Sequence, residues 1–136
     1  MICPLFNWHF WAKSLCFQNI CCFEHNFYFC PPKFKIQLKK TDFKEGELVK
    51  TEVGDKSLVL GMIKDRIYAM DSVCSHQGGP LEEGWLEDYD LTCPWHQGVF
   101  DIRTAKASPK TNWVTDLNSY SVIVDEKNGE IFVEID

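Results

Sequence analysis

With 136 residues the chain has room for one domain with a modest core and none for a second catalytic unit. A formal net charge of −6 makes nucleic acid and anionic membrane surfaces poor partners. Aromatic residues make up 14% of the chain, more than a helical bundle needs and easily placed in a small β domain built around an internal site.

Met1 to Pro32 differs from everything after it. It is rich in Phe, Trp and Cys, with a single Lys (Lys13) and a single Glu (Glu24). Asn7, His9, Lys13, Gln18 and Glu24, among others, interrupt any apolar window long enough to cross a bilayer. A basic start, an unbroken apolar run and a small-residue cleavage site are all lacking, so the segment does not read as a secretory signal. Five of the seven cysteines lie here: Cys3, Cys16, Cys21, Cys22 and Cys30. Cys21-Cys22-x-x-His25 with Cys30 can be offered as a metal group, but the spacing fits no pattern with a mechanical reason behind it. Residues 1–32 are expected to be an extension, disordered or translated from a misassigned start, and the domain is expected to run over 33–136. The domain keeps only Cys74 and Cys93, with no thiol left over for a disulfide, which fits a cytoplasmic protein.

Phe34 to Leu38 alternates apolar and basic residues, the pattern of a strand near a sheet edge. Thr41 to Gly46 reads as a turn, and Glu47 to Val53 as a weak strand broken by Gly54-Asp55. Ser57 to Ile63 and Arg66 to Met70 flank Lys64-Asp65, a hairpin whose turn lacks the favoured Gly. Leu81 to Asp90 carries five acids (Glu82, Glu83, Glu87, Asp88 and Asp90) and no base. A solvated loop is the simpler reading of that run, a docking face for a basic partner the sharper one. Val99 to Ile102 is a short strand and Thr104 to Asn112 a loop. Tyr120 to Asp125 and Glu130 to Ile135 flank Asn128-Gly129, the strongest hairpin signal in the chain. Nothing sustains a helical period. Short strands separated by turn signals predict an all-β sandwich or small barrel.

Two short clips with sixteen residues between them carry the chemistry: Cys74-Ser75-His76 and Cys93-Pro94-Trp95-His96. Two thiolates and two imidazoles complete a first shell of metal ligands. A structural zinc site takes the same four, but usually pairs Cys with Cys and His with His. Here each clip mixes the two types, as a [2Fe–2S] centre with two Cys on one iron and two His on the other requires. The stretch CSHQGGPLEEGWLEDYDLTCPWHQGVFD resembles the signature of the Rieske family, Cys-x-His followed, after a loop of this length, by Cys-x-x-His. The resemblance runs from about Glu47 to the C-terminus.

That resemblance implies a β sandwich or barrel base bearing a cluster-binding subdomain with two ligand loops. It implies one [2Fe–2S] cluster on Cys74, His76, Cys93 and His96. Gln77, Gly79, Gln97 and Gly98 would present backbone N–H groups to the sulfides, Trp95 would shield the cluster, and Pro109 would come from a third loop covering it. High-potential members carry an extra Cys in each loop and a Ser and a Tyr shortly after the second His. Here those last two positions are Gly98 and Phe100. Each hydrogen bond lost to a charged group is worth roughly 1.5–3 kcal/mol. A couple nearer about −150 mV than about +300 mV is therefore expected. The function implied is a ferredoxin that moves single electrons from a flavin-containing reductase to a terminal oxygenase or other oxidoreductase, with no substrate turnover of its own. A small subunit of a larger reductase, similar to those of nitrite reductases, and a zinc-stabilised binding module are the alternatives.

Overall fold

The computed structural model describes residues 20–23, 26–29 and 31–135. The chain divides into two compact units, Met1–Pro32 with Asp136, and Lys33–Ile135. In the first, strand β1 (Ile20–Phe23) pairs antiparallel with β2 (Asn26–Phe29). His25 and Cys30 of the offered metal group, and residues 1–19 with the expectation about the true start, lie outside the described residues. Among the described residues no helix is long and apolar enough to cross a membrane.

The second unit is built from strands, with two short 3-10 turns at Lys40–Asp42 and Leu81–Glu83. Its larger sheet contains β3 (Lys33–Lys39), β4 (Leu48–Val53), β5 (Lys56–Ile63), β6 (Arg66–Asp71), β10 (Ser119–Asp125) and β11 (Glu130–Glu134), in the order β3-β11-β10-β6-β5-β4. The smaller sheet is β7 (Trp85–Glu87), β8 (Asp90–Thr92) and β9 (Val99–Asp101), in chain order.

β5 and β6 form a wall between two cores. Strand side chains alternate faces, and β5 is apolar on both. Leu58 and Leu60 face the base core with Ile67, Ala69, Ile131 and Val133. Val59 and Ile63 face a second core with Met70, Leu91, Phe100, Ile102 and both ligand-candidate cysteines. Each fully buried Leu or Ile contributes about 1.5–3 kcal/mol, so the two cores hold the small sheet on the base through one shared wall. β3, at the sheet edge as its alternation predicts, buries Ile36 and leaves Lys33 and Lys35 to pair with Glu134 and Glu130 of β11.

The hairpins form where expected, with two surprises in their turns. Lys64 and Asp65 both take left-handed backbone (φ 50 and 65), so the β5–β6 turn has the primed form without glycine. Lys40 reaches Asp65 at 2.8 Å and Glu45 accepts the Lys64 amide at 2.7 Å, which offsets part of the strain. Asn128-Gly129 is not a two-residue turn. Asp125 pairs with Glu130 across Glu126–Gly129, and the Gly129 amide donates back to the Asp125 carbonyl at 2.6 Å.

The acidic run needs correction. Leu81 to Asp90 is no plain loop but the 3-10 turn, β7 and the turn into β8, with Leu86 opposite Leu91 and Leu91 opposite Phe100. The high charge hid a short alternation in which Glu83, Trp85 and Glu87 face out and Leu86 faces in. Glu82 turns back to Lys50 of β4 at 3.2 Å, tying the small sheet to the base.

Candidate metal centre

Two loops at the end of the small sheet bring the four candidate ligands together. The first follows β6 and ends at Pro80, bracketed by a Val73–Pro80 bridge and a Leu81 amide donating to the Ser72 carbonyl at 2.9 Å. The second joins β8 to β9 directly, over the Thr92–Val99 pair. Each closes on itself in the same way. The Cys74 amide donates to the Gly79 carbonyl at 2.9 Å, and the Cys93 amide to the Gly98 carbonyl at 2.8 Å.

Both cysteines are buried in the second core. Burial pushes the Cys93 thiol up to about 11, with the nearby Cys74 thiol adding to the rise and the Trp95 amide opposing it. With that rise Cys93 keeps its proton at neutral pH, and a cation must replace the proton before the sulfur acts as a ligand. The two imidazoles sit edge to face, ring centroids 4.9 Å apart. His76 Nδ1 is buried with no hydrogen-bond partner, while His96 is exposed. A buried, orphaned nitrogen on a ring packed beside a second imidazole is what a metal would satisfy. Among the described residues, no three His, Cys, Asp or Glu side chains converge on one ion position. The donors stand as a buried thiol pair and an imidazole pair, which suits a two-iron cluster and not one tetrahedral zinc.

The glycines of the loops are there for contact. A Cβ on Gly79 would lie 2.8 Å from Cys93 Sγ and 3.1 Å from Trp95 Cβ, and one on Gly98 would lie 2.6 Å from Val114 Cγ1. The N–H groups of Gln77, Gly79, Gln97 and Gly98 enter none of the backbone hydrogen bonds among the described residues, so they remain open to a bound anion. Gln77 and Gln97 are exposed at the loop apices, and Trp95, at 48% exposure, leaves half its surface to solvent.

Pro109 is exposed on the segment between β9 and β10. The same segment meets the ligand loops at Val114, against Gly98, and at Thr115, hydrogen-bonded to Ser75. Sequence reading missed all three partners. Ser75 passed as the variable residue of Cys-x-His, and nothing local marks Val114 or Thr115 as neighbours of the loops. A further polar set braces the approach to the first loop. Asp71 accepts from the Tyr120 hydroxyl at 2.7 Å and from the Asn118 amide at 3.0 Å. Burial and that carboxylate push the Tyr120 hydroxyl well above its ordinary range.

Comparison with known proteins agrees with this geometry. Residues 33–132 match the Rieske [2Fe-2S] domain. The ferredoxin component of the naphthalene 1,2-dioxygenase/salicylate 5-hydroxylase systems of Ralstonia sp is 36% identical over 86 residues, covering 62% of this chain and 80% of that protein. A Rieske domain-containing protein of Homo sapiens is 31% identical over 114 residues, 71% of each chain. A solved complex of reduced oxygenase and oxidized ferredoxin in carbazole 1,9a-dioxygenase contains a chain that matches with a TM-score of 0.67 at 27% identity, covering 75% of this chain and 92% of that one.

Proposed function

The chain belongs to the Rieske [2Fe-2S] domain family, and from that premise we propose a one-electron carrier of the ferredoxin type. Its electrons come from a flavin-containing reductase and pass to a terminal oxygenase or another oxidoreductase, with no substrate turnover by the carrier itself. Cys74 and Cys93 hold one iron and His76 and His96 the other. When bound, the cluster supplies a reversible one-electron couple. The observation that carries the reading is the division of the four donors into a buried thiol pair and an imidazole pair, one imidazole having an orphaned nitrogen and the other exposed. The exposed His96 ring offers a docked partner a short route through protein to the centre. The naming of the Ralstonia relative as a dioxygenase ferredoxin component, and the ferredoxin–oxygenase complex among the structural relatives, support an oxygenase as the acceptor. The domain's two cysteines are both candidate cluster ligands, which supports the cytoplasm as its compartment.

The residues also bear on potential. Gly98 has no side chain, and Phe100 lies fully buried in the core, so neither offers a hydroxyl to the reduced centre. The couple belongs at the low end of the Rieske range, nearer about −150 mV than about +300 mV. Low-temperature EPR and potentiometry of the dithionite-reduced protein test both statements. The expected result is a rhombic signal with average g below that of all-Cys clusters and a low midpoint. A colourless, EPR-silent protein holding one zinc overturns the function, and a reversible couple above about +150 mV overturns the potential.

A further inference from the structure

Between β9 and β10 the chain crosses over both ligand loops. Its first part is fastened to the second loop's exit strand: the Ser108 amide donates to the Val99 carbonyl at 2.8 Å, and Thr111 Oγ1 accepts from the Val99 amide at 3.3 Å. Its last part is fastened to the base, where the Asp71 amide donates to the Asn118 carbonyl at 3.0 Å. Between these anchors, two consecutive residues meet the two loops. Val114 is buried against Gly98 of the second loop. Thr115 meets Ser75 of the first through a reciprocal pair: Ser75 Oγ donates to the Thr115 carbonyl at 2.8 Å and accepts from the Thr115 amide at 2.9 Å. One side chain thus does the work of a β-bridge across forty residues of sequence, and it stands between Cys74 and His76.

Taking the cluster reading above as premise, we infer that Ser75 is a positioning residue, a latch that keeps the crossing segment closed over both ligand loops and so limits water at the cluster. Among the described residues, Ser75 is the first-loop side chain that hydrogen-bonds this segment. Removing its hydroxyl hands the exposed Thr115 amide and carbonyl over to water and frees Val114 to lift from Gly98. Reduction adds one negative charge, and water solvates that charge better than the protein interior does, so opening the latch favours the reduced state. The hydroxyl is the only part of Ser75 that the contact uses, so threonine serves in its place.

The test compares the native protein with Ser75→Ala, Ser75→Thr and Ile131→Val, the last a mild change in the base core remote from the loops. Three readouts are taken: release of iron to a chelator, the midpoint potential, and hydrogen exchange of the Thr115 amide in the cluster-free chain. Ser75→Ala should release iron about tenfold faster, the scale of two lost hydrogen bonds. It should also move the midpoint upward and remove protection at Thr115. Ser75→Thr should restore all three, and Ile131→Val should leave the potential and the Thr115 amide unchanged. A Ser75→Ala protein indistinguishable from native, or from Ile131→Val, overturns the latch. So does a Ser75→Thr protein that behaves as the alanine variant. Iron and sulfide content of the native protein reports separately on the cluster reading, and the exchange readout stands without it.

Discussion

Cys74 and Cys93 each donate an amide to a glycine carbonyl at the far end of their own loop, so the two ligand loops close alike. They reach that closure by different means. The first turns through Gly78 at φ 71, where a left-handed backbone costs little, whereas the second places His96 and Gln97 there at φ 61 and 56. A non-glycine residue in that region costs of order 1–3 kcal/mol and persists only where its surroundings over-determine it. The second loop has such surroundings, because paired strands hold both of its ends and Val114 covers Gly98. The first is closed by an isolated bridge, Val73 with Pro80, and is held from outside by the Asp71 set and by Ser75. The glycine-turned loop is clamped by side chains and the strained one is walled by paired strands.

The difference can be broken most strongly at the two packed glycines. Gly79→Ala drives a methyl onto Cys93 Sγ, a thiol with no freedom to retreat, and should abolish iron incorporation and cost about 1–3 kcal/mol in the cluster-free chain. Gly98→Ala meets a valine methyl that a second change can remove. Gly98→Ala combined with Val114→Ala should therefore recover cluster binding, while no single truncation rescues Gly79→Ala. Iron content and urea unfolding of these three variants, and of Gly79→Ala combined with Val114→Ala, check this, and equal, unrescued losses at both glycines would erase the distinction.

A smaller effect, of opposite sign in the two loops, is expected at the turn residues. Gly78→Ala should destabilise the cluster-free chain by about 1 kcal/mol, because its φ is left-handed. Gln97→Gly should stabilise it, by a few tenths to about 1 kcal/mol, since strain relief outweighs the added freedom of the unfolded chain. Urea midpoints at constant slope measure both.

The smallest effect lies just beyond the second loop. Arg103 hydrogen-bonds Asp101 at 2.7 Å and holds that carboxyl below its usual range. A lowered folded value means the contribution is present above the unfolded carboxylate value of about 3.9 and is lost as pH falls through the folded one. The partner is well exposed, so the contribution stays under about 1 kcal/mol. Melting of Asp101→Asn against the native protein should differ above about pH 4 and converge below it.

Much of the fold was legible because the base follows short-range rules. Alternation in β3, the Lys64-Asp65 break between β5 and β6 and the Asn-Gly signal all concern residues within a few positions of one another. The candidate ligands stood out for a different reason, since a mixed Cys/His clip at fixed spacing leaves few chemistries open. β7 and β8 were not, because their charge outweighs three-residue alternations that become strands only when Leu86 and Leu91 meet a core supplied by β5 and Phe100.

The amino-acid sequence by itself determined which candidate ligands the chain carries and how they are spaced, the all-β class and the absence of hydroxyl donors at Gly98 and Phe100. These depend on which side chains exist and how they are spaced. Only the tertiary structure decided that β5 serves two cores, that Gly79 lies under Cys93, and that Ser75 grips Thr115. Each of those joins residues far apart in the chain, and a contact between distant residues leaves no period or spacing in the sequence that carries it.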